Sequence, residues 1–242
     1  VGVPELLQAL INAVRVLEKP VEVLEILNPI INAEELTGKF IILDVLARDV
    51  DGQQYNLEMQ VRGFPLWGSR SCYYLARLLS QQLESGHEYG LLKPVIGIHL
   101  LDFDLFTTEQ KQEQAVWRFE MRDAIQPHIR LSADLQLHLI ELRKADRLGL
   151  IQDDLREWVT FFRHWNEEQT MANLHSEPVK KAYESLKNMS ADTETRRLAF
   201  VRERALHDEA TVRMIERKEG LEEGKVIGLE VGKVIGKEIG RE

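Results

Sequence analysis

The side chains of this chain best suited to chemistry lie on two neighbouring segments. The first, FIILDVLA, ends at Ala47 and carries Asp44 among Ile41, Ile42, Leu43, Val45 and Leu46. The second, QQYNLEMQV, ends at Val61 and carries Glu58 and Gln60, separated by one residue. A carboxylate inside an apolar run is costly to desolvate unless a partner compensates it. A divalent cation is the natural partner, which points to metal-dependent phosphodiester chemistry. Mg2+ is a hard ion that favours oxygen ligands and usually takes one or two carboxylates while keeping several waters. Asp44 and Glu58 on adjacent strands would supply the carboxylates, and a backbone carbonyl near Met59 a further oxygen. Gln60 would hold the attacking water. The spacing alone also fits a solvated strand face made of Glu58, Gln60 and Arg62; Asp44, set in its apolar run, favours the site.

A hairpin has to bring these residues together. Tyr55, Leu57, Met59 and Val61 alternate with Asn56, Glu58 and Gln60, so the two sets occupy opposite strand faces. Asp51-Gly52 in RDVDG supplies the turn. Residues 66–85 then read as a helix with Tyr73, Tyr74, Ala76, Leu78, Leu79 and Leu83 inside and Gly86 just past its end. A third strand is expected over Val95 to Leu101 and a fourth over Leu135 to Leu142. Ahead of the hairpin, 4–18 suits an amphipathic helix with Pro4 in its first turn. Residues 21–36 are ambiguous, although VEVLEIL alternates like a strand. Residues 109–119 are charged and have no clear assignment.

After about Asp146 the pattern changes to helices: DDLREWVTFFRHWNEE, PVKKAYESLKNMS and a longer charged helix beginning TRRLAF. The order β-β-α-β-β followed by helices implies an α/β or α+β core. The expected organisation is a core over 1–145, a helical region over 146–217 and a glycine-periodic charged tail over 218–242. Glycine recurs in that tail at Gly220, Gly224, Gly228, Gly232, Gly236 and Gly240. Each glycine costs a helix ~1 kcal/mol relative to alanine. Two readings of the tail stand open: a disordered segment, or a helix that packs closely on copies of itself and makes a homo-oligomer.

The net charge of −9 over 242 residues argues against a nucleic-acid binder that works by bulk charge, while leaving room for a local basic surface. Cys72 is the one cysteine, which excludes a disulfide framework and a cysteine zinc site. No apolar run approaches the ~20 residues needed to span a bilayer. The expectation is a soluble cytoplasmic protein. Arg62, Arg70 and Arg77 are candidates to grip phosphates, weighed against ordinary surface arginines. Asp102 and Asp104 form a rival acidic pair at the end of a strand. His99 and His138 read as core residues, as does Cys72. Tyr73 and Tyr74 could stack on a base, but helical spacing favours the core for at least one. No glycine-rich phosphate loop is present.

The arrangement LDVLARDVDGQQYNLEMQ, the helix YYLARLLSQQL and the strand LKPVIGIHLLDFDLF together resemble the PD-(D/E)xK nuclease-family transposases, the recombination-promoting nuclease (Rpn) family. WVTFFRHW and the glycine-punctuated tail resemble the C-terminal region of that family, so the likeness covers nearly the whole chain. It implies a restriction-endonuclease-like core with a mixed sheet flanked by helices, Mg2+ as cofactor and DNA as substrate. Asp44 matches the metal-binding aspartate and Glu58 the second acidic ligand. Gln60 matches a position that is lysine in the wider superfamily and often glutamine in this branch. The superfamily often adds an acid on the first core helix, for which Glu5 and Glu18 are the candidates here. The expected activity is Mg2+-dependent DNA cleavage. The rival is a DNA-binding or assembly protein that keeps the fold without the activity.

Overall fold

The alternation around Glu58 becomes a strand in the middle of a sheet. The computed structural model describes residues 4–16, 18–27, 43–60, 63, 66–107, 113–149 and 153–191, and positions 224, 225 and 228. For 43, 44 and 189–191 it describes the backbone alone. In chain order the elements are α1 (Pro4–Val14), β1 (Val23–Ile26), β2 (Leu43–Asp49), β3 (Gln54–Gln60), α2 (Trp67–Ser80), β4 (Val95–Leu101), β5 (Val116–Arg122), β6 (Arg130–Glu141), α3 (Leu142–Leu148), α4 (Asp153–His164), α5 (Glu168–Ala172) and α6 (Glu177–Ala191). The strands form one mixed sheet in the order β1-β2-β3-β4-β6-β5. β1, β2 and β3 are an antiparallel meander. β3 then runs parallel to β4, and β4 parallel to β6. A parallel neighbour requires a crossover, and α2 is that crossover. The mixed sheet flanked by helices is the α/β architecture expected from the sequence.

The hairpin turn is fixed by Asp49. Its Oδ1 accepts from the backbone N–H groups of Asp51 at 3.0 Å and Gln53 at 2.8 Å, and its Oδ2 accepts from the Tyr55 hydroxyl at 2.9 Å. Gly52 takes φ +84°, where a side chain would be strained. Arg15 at the end of α1 donates to Tyr55 Oη at 2.9 Å, which ties the first helix to the hairpin.

Each sheet face has its own apolar layer. On one, Ala47, Tyr55, Leu57, Ile96, Ile98 and Leu100 pack with Leu7, Leu10 and Ile11 of α1 and Trp158 and Val159 of α4. On the other, Val95, Leu101, Leu137 and Leu139 pack with Trp67 and Leu75 of α2. α2 comes close enough that a Cβ on Gly97 would lie 2.9 Å from Leu75 Cδ1 and 3.1 Å from Leu137 Cδ1. Gly97→Ala therefore overpacks the α2–sheet contact. Its expected cost is about 1–3 kcal/mol, read as a lower urea midpoint at unchanged slope.

Several elements differ from the sequence expectation. α2 buries Trp67, Ser71 and Leu75, while Tyr73 and Tyr74 are 62% and 41% exposed. Cys72 is also exposed, not a core residue. The inner stripe follows the series 67, 71 and 75, so the apolar tyrosine faces look outward. β5 begins within the stretch 109–119 left unassigned and runs on to Arg122. Its charges form a cross-strand network, with Arg118, Arg122 and Arg130 converging on Glu120. The helix expected from 153 stops at His164, and α5 is separate. The chain divides into two compact units, Val1–Ala191 and Asp192–Glu242. The expected charged helix beyond 192 lies outside the described residues, as does the tail apart from helical positions 224, 225 and 228.

Candidate active site on the α2 face of the sheet

Strand register decides which functional residues meet. Across β2 and β3, Asp44 is the direct partner of Glu58. Across β3 and β4, Glu58 is the partner of His99, and across β4 and β6, His99 is the partner of Leu139. Directly paired residues share a sheet face. One row across four strands therefore reads Asp44, Glu58, His99, Leu139. Gln60 lies one step further along the same face of β3. α2 covers this face and contributes Trp67, Arg70 and Ser71.

Glu58 is 8% exposed. Its Oε1 accepts from Gln60 Nε2 at 2.6 Å, and Arg70 Nη2 lies 4.0 Å from the same oxygen. Its Oε2 is 3.7 Å from His99 Nε2, too far for a hydrogen bond. The donor and the guanidinium are what make a buried carboxylate tolerable here. A carboxylate only accepts, so the Gln60 amide must turn its nitrogen toward it and its carbonyl oxygen away. That Oε1 is buried and has no hydrogen-bond partner among the described residues.

His99 is 1% exposed. Its Nδ1 lies 3.3 Å from Ser71 Oγ, and its ring meets Trp67 edge-on at 5.3 Å between centroids. Burial, with the Arg70 charge second, lowers its pKa from 6.5 to about 3, so the imidazole is neutral at physiological pH. Its Nε2 is also without a hydrogen-bond partner among the described residues. Sequence reasoning set His99 aside as a core residue. It is buried, but it stands in the row beside Glu58. The only sequence signal for this is a lone polar residue inside the run Val95–Leu101.

The other candidates fall elsewhere. Arg62 lies outside the described residues. Arg70 is half-buried, faces Glu58 and lies 5.4 Å from the Tyr74 ring centroid. The rival acids Asp102 and Asp104 are held by arginines: Asp102 by Arg143 at 3.0 Å and Arg163 at 2.6 Å, Asp104 by Arg147 at 3.1 Å. Glu18 pairs with Arg15 at 2.7 Å and also with Arg118. α1 packs on the face opposite Glu58, so neither Glu18 nor the exposed Glu5 lies on the face of the polar row. His138 also sits on that opposite face and is a neutral core histidine. Burial, then Arg118 and Arg15, lower its pKa to about 4.

The residues fit a dication. A buried carboxylate is flanked on one face by two buried polar atoms without hydrogen-bond partners among the described residues, Gln60 Oε1 and His99 Nε2, and Asp44 is next in register. Among the described side chains no three His, Cys, Asp or Glu groups converge on one point. An antiparallel hairpin with acids paired in register, a helical crossover and a parallel fourth strand are consistent with the PD-(D/E)XK nuclease fold. The chain belongs to the PD-(D/E)XK nuclease family transposases, whose family profile matches residues 4–215. No match to the chain was found among curated proteins or among solved structures. Nucleases of this class generally use divalent metal ions, and DNA is the substrate that the family implies.

Proposed function

We propose that this chain is a Mg2+-dependent DNA endonuclease in which Asp44 and Glu58 hold the metal and Gln60 positions water. The observation that carries this reading is the register pairing of Asp44 with Glu58 on the face that also holds Gln60 Oε1, buried and without a hydrogen-bond partner among the described residues. When bound, Mg2+ would neutralise charge at the scissile phosphate and acidify a coordinated water. Gln60 Oε1 accepts a hydrogen bond from the attacking water and fixes its direction. A neutral amide cannot take the proton, so Gln60 orients and does not act as the base. Arg70 reduces the cost of burying Glu58 and, with Arg62, is assigned to contact phosphate. The exposed Tyr73 and Tyr74 on the outer side of α2 offer ring surface to bases. Self-association through 218–242 belongs to the same proposal and is carried by the glycine period alone.

The rival reading, a DNA-binding or assembly protein without cleavage, draws on Arg70, which already places a positive charge beside Glu58. Supercoiled plasmid separates the two. Nicking that requires Mg2+, stops with chelator and returns when Mg2+ is restored is the expected result. Asp44→Asn is expected to abolish it. Plasmid retention on the protein without nicking at any Mg2+ concentration would establish the rival.

Among the described residues no helix is long and apolar enough to cross a membrane.

A further inference from the structure

We infer that His99 is a nitrogen ligand of the dication beside Glu58, so that the site binds Mn2+ more tightly than Mg2+. The inference rests on the metal-site reading above and names a ligand that reading did not need. The imidazole sits in register with Glu58 on the adjacent parallel strand. When Nδ1–H donates to Ser71 Oγ, at 3.3 Å, the Nε2 lone pair is left facing the carboxylate. Fixing one ring nitrogen by a hydrogen bond so that the other can coordinate is the usual arrangement for a metal-bound histidine. Nε2 is buried with no hydrogen-bond partner among the described residues, a penalty that a leucine filling the same layer would not carry.

Distance adds an independent argument. Nε2 and Glu58 Oε2 are 3.7 Å apart, beyond a hydrogen bond. That is close to the span of two coordinate bonds of ~2.1 Å meeting at an open angle. Arg70 and Gln60 both approach the other oxygen, Oε1. An imidazole nitrogen is a softer donor than the oxygens Mg2+ prefers. It therefore shifts selectivity toward a first-row transition ion.

The test uses the full chain and Mn2+ alone, with no DNA present. Pulsed electron paramagnetic resonance of bound Mn2+ is expected to show nitrogen modulation from a coordinated imidazole. His99→Gln, which offers an amide oxygen near the same place, is expected to lose the modulation and narrow the preference for Mn2+ over Mg2+. Ser71→Ala leaves the ligand in place but frees its ring, with an expected loss of ~10-fold in Mn2+ affinity. If Mn2+ binds, and Glu58→Gln abolishes binding, but the unaltered protein shows no nitrogen modulation, the inference is overturned and the nuclease reading stands. Modulation that persists in folded His99→Gln also overturns it. If the unaltered protein binds neither ion, both the inference and the metal-site reading fail. The decisive measurement is on the unaltered chain, so a poorly folding His99 variant does not block it.

Discussion

Glu58→Gln is expected to reduce Mg2+-dependent plasmid nicking by about 10^3-fold, because losing a charged metal ligand removes several kcal/mol of transition-state stabilisation and each 1.36 kcal/mol is a factor of ten. The fold is expected to survive. The two side chains have the same shape, and glutamine keeps an oxygen to accept from Gln60 Nε2, now 2.6 Å from Glu58 Oε1. Arg70 loses one charge partner, but it is half-buried and stays in reach of solvent. Removing a buried carboxylate also removes its desolvation cost, so the net change in stability is small. The measurement has two parts: initial nicking rates at saturating Mg2+, and urea midpoints of both proteins without metal. A midpoint near that of the parent with nicking lost places the defect in chemistry. Undiminished nicking by the folded variant removes Glu58 from the active site.

Much of this site could be read from residue order because it sits on a hairpin. Period-two alternation put Glu58 and Gln60 on one face, and Asp51-Gly52 located the turn, so the pairing of β2 with β3 followed from local rules. His99 did not follow. It reaches Glu58 through a parallel register set by a long crossover, and nothing local fixes such a register. The run Val95–Leu101 is buried on both faces, and a histidine there looks the same in sequence whether it packs or coordinates. α2 was placed correctly as a helix, and Leu78 and Leu79 pack inward as expected, but Tyr73, Tyr74 and Ala76 are exposed and the buried positions are Trp67, Ser71 and Leu75. Tyr73 and Tyr74 weigh heavily in any apolar count, whereas Ser71, which is buried, contributes little to one.

The edge of the sheet shows a different limit. β5 alternates Trp117, Phe119 and Met121 with Arg118, Glu120 and Arg122, a strand pattern masked by its charge. The partners that neutralise it come partly from far away in sequence, Arg130 on β6 and Glu18 beyond α1. Asp102 and Asp104 likewise resembled a site because their arginines lie on α3 and α4. An acid's meaning depends on which cation meets it, and that is a tertiary fact.

Glu141 makes the same point through stability, where the effect of a single change is large. It is 0% exposed and sits in register beside Leu101, which in turn pairs with Gln60. Its Oε1 accepts from the backbone N–H of Leu105 at 2.6 Å and Phe106 at 2.9 Å. Its Oε2 accepts from Trp117 Nε1 and Lys144 Nζ, both at 2.7 Å. Lys144, 1% exposed, also donates to the Phe106 carbonyl at 2.7 Å. This carboxylate holds the loop that leaves β4, where the Asp102 N–H donates to the Gln60 carbonyl at 2.8 Å. Glu141→Ala takes the counter-charge from a buried ammonium and the acceptor from three N–H donors, with an expected loss of about 3–5 kcal/mol. A buried ammonium that has lost its counter-charge is worse than no charge, so adding Lys144→Met to Glu141→Leu is expected to recover part of that loss. Urea denaturation of the two variants reads both effects. A double variant no more stable than Glu141→Ala would mean that the loop needs the carboxylate's hydrogen bonds rather than charge balance. Nicking by each variant, scaled to its folded fraction, is expected to stay near that of the parent. Glu141 and Lys144 fix the loop at Leu105 and Phe106 that follows β4.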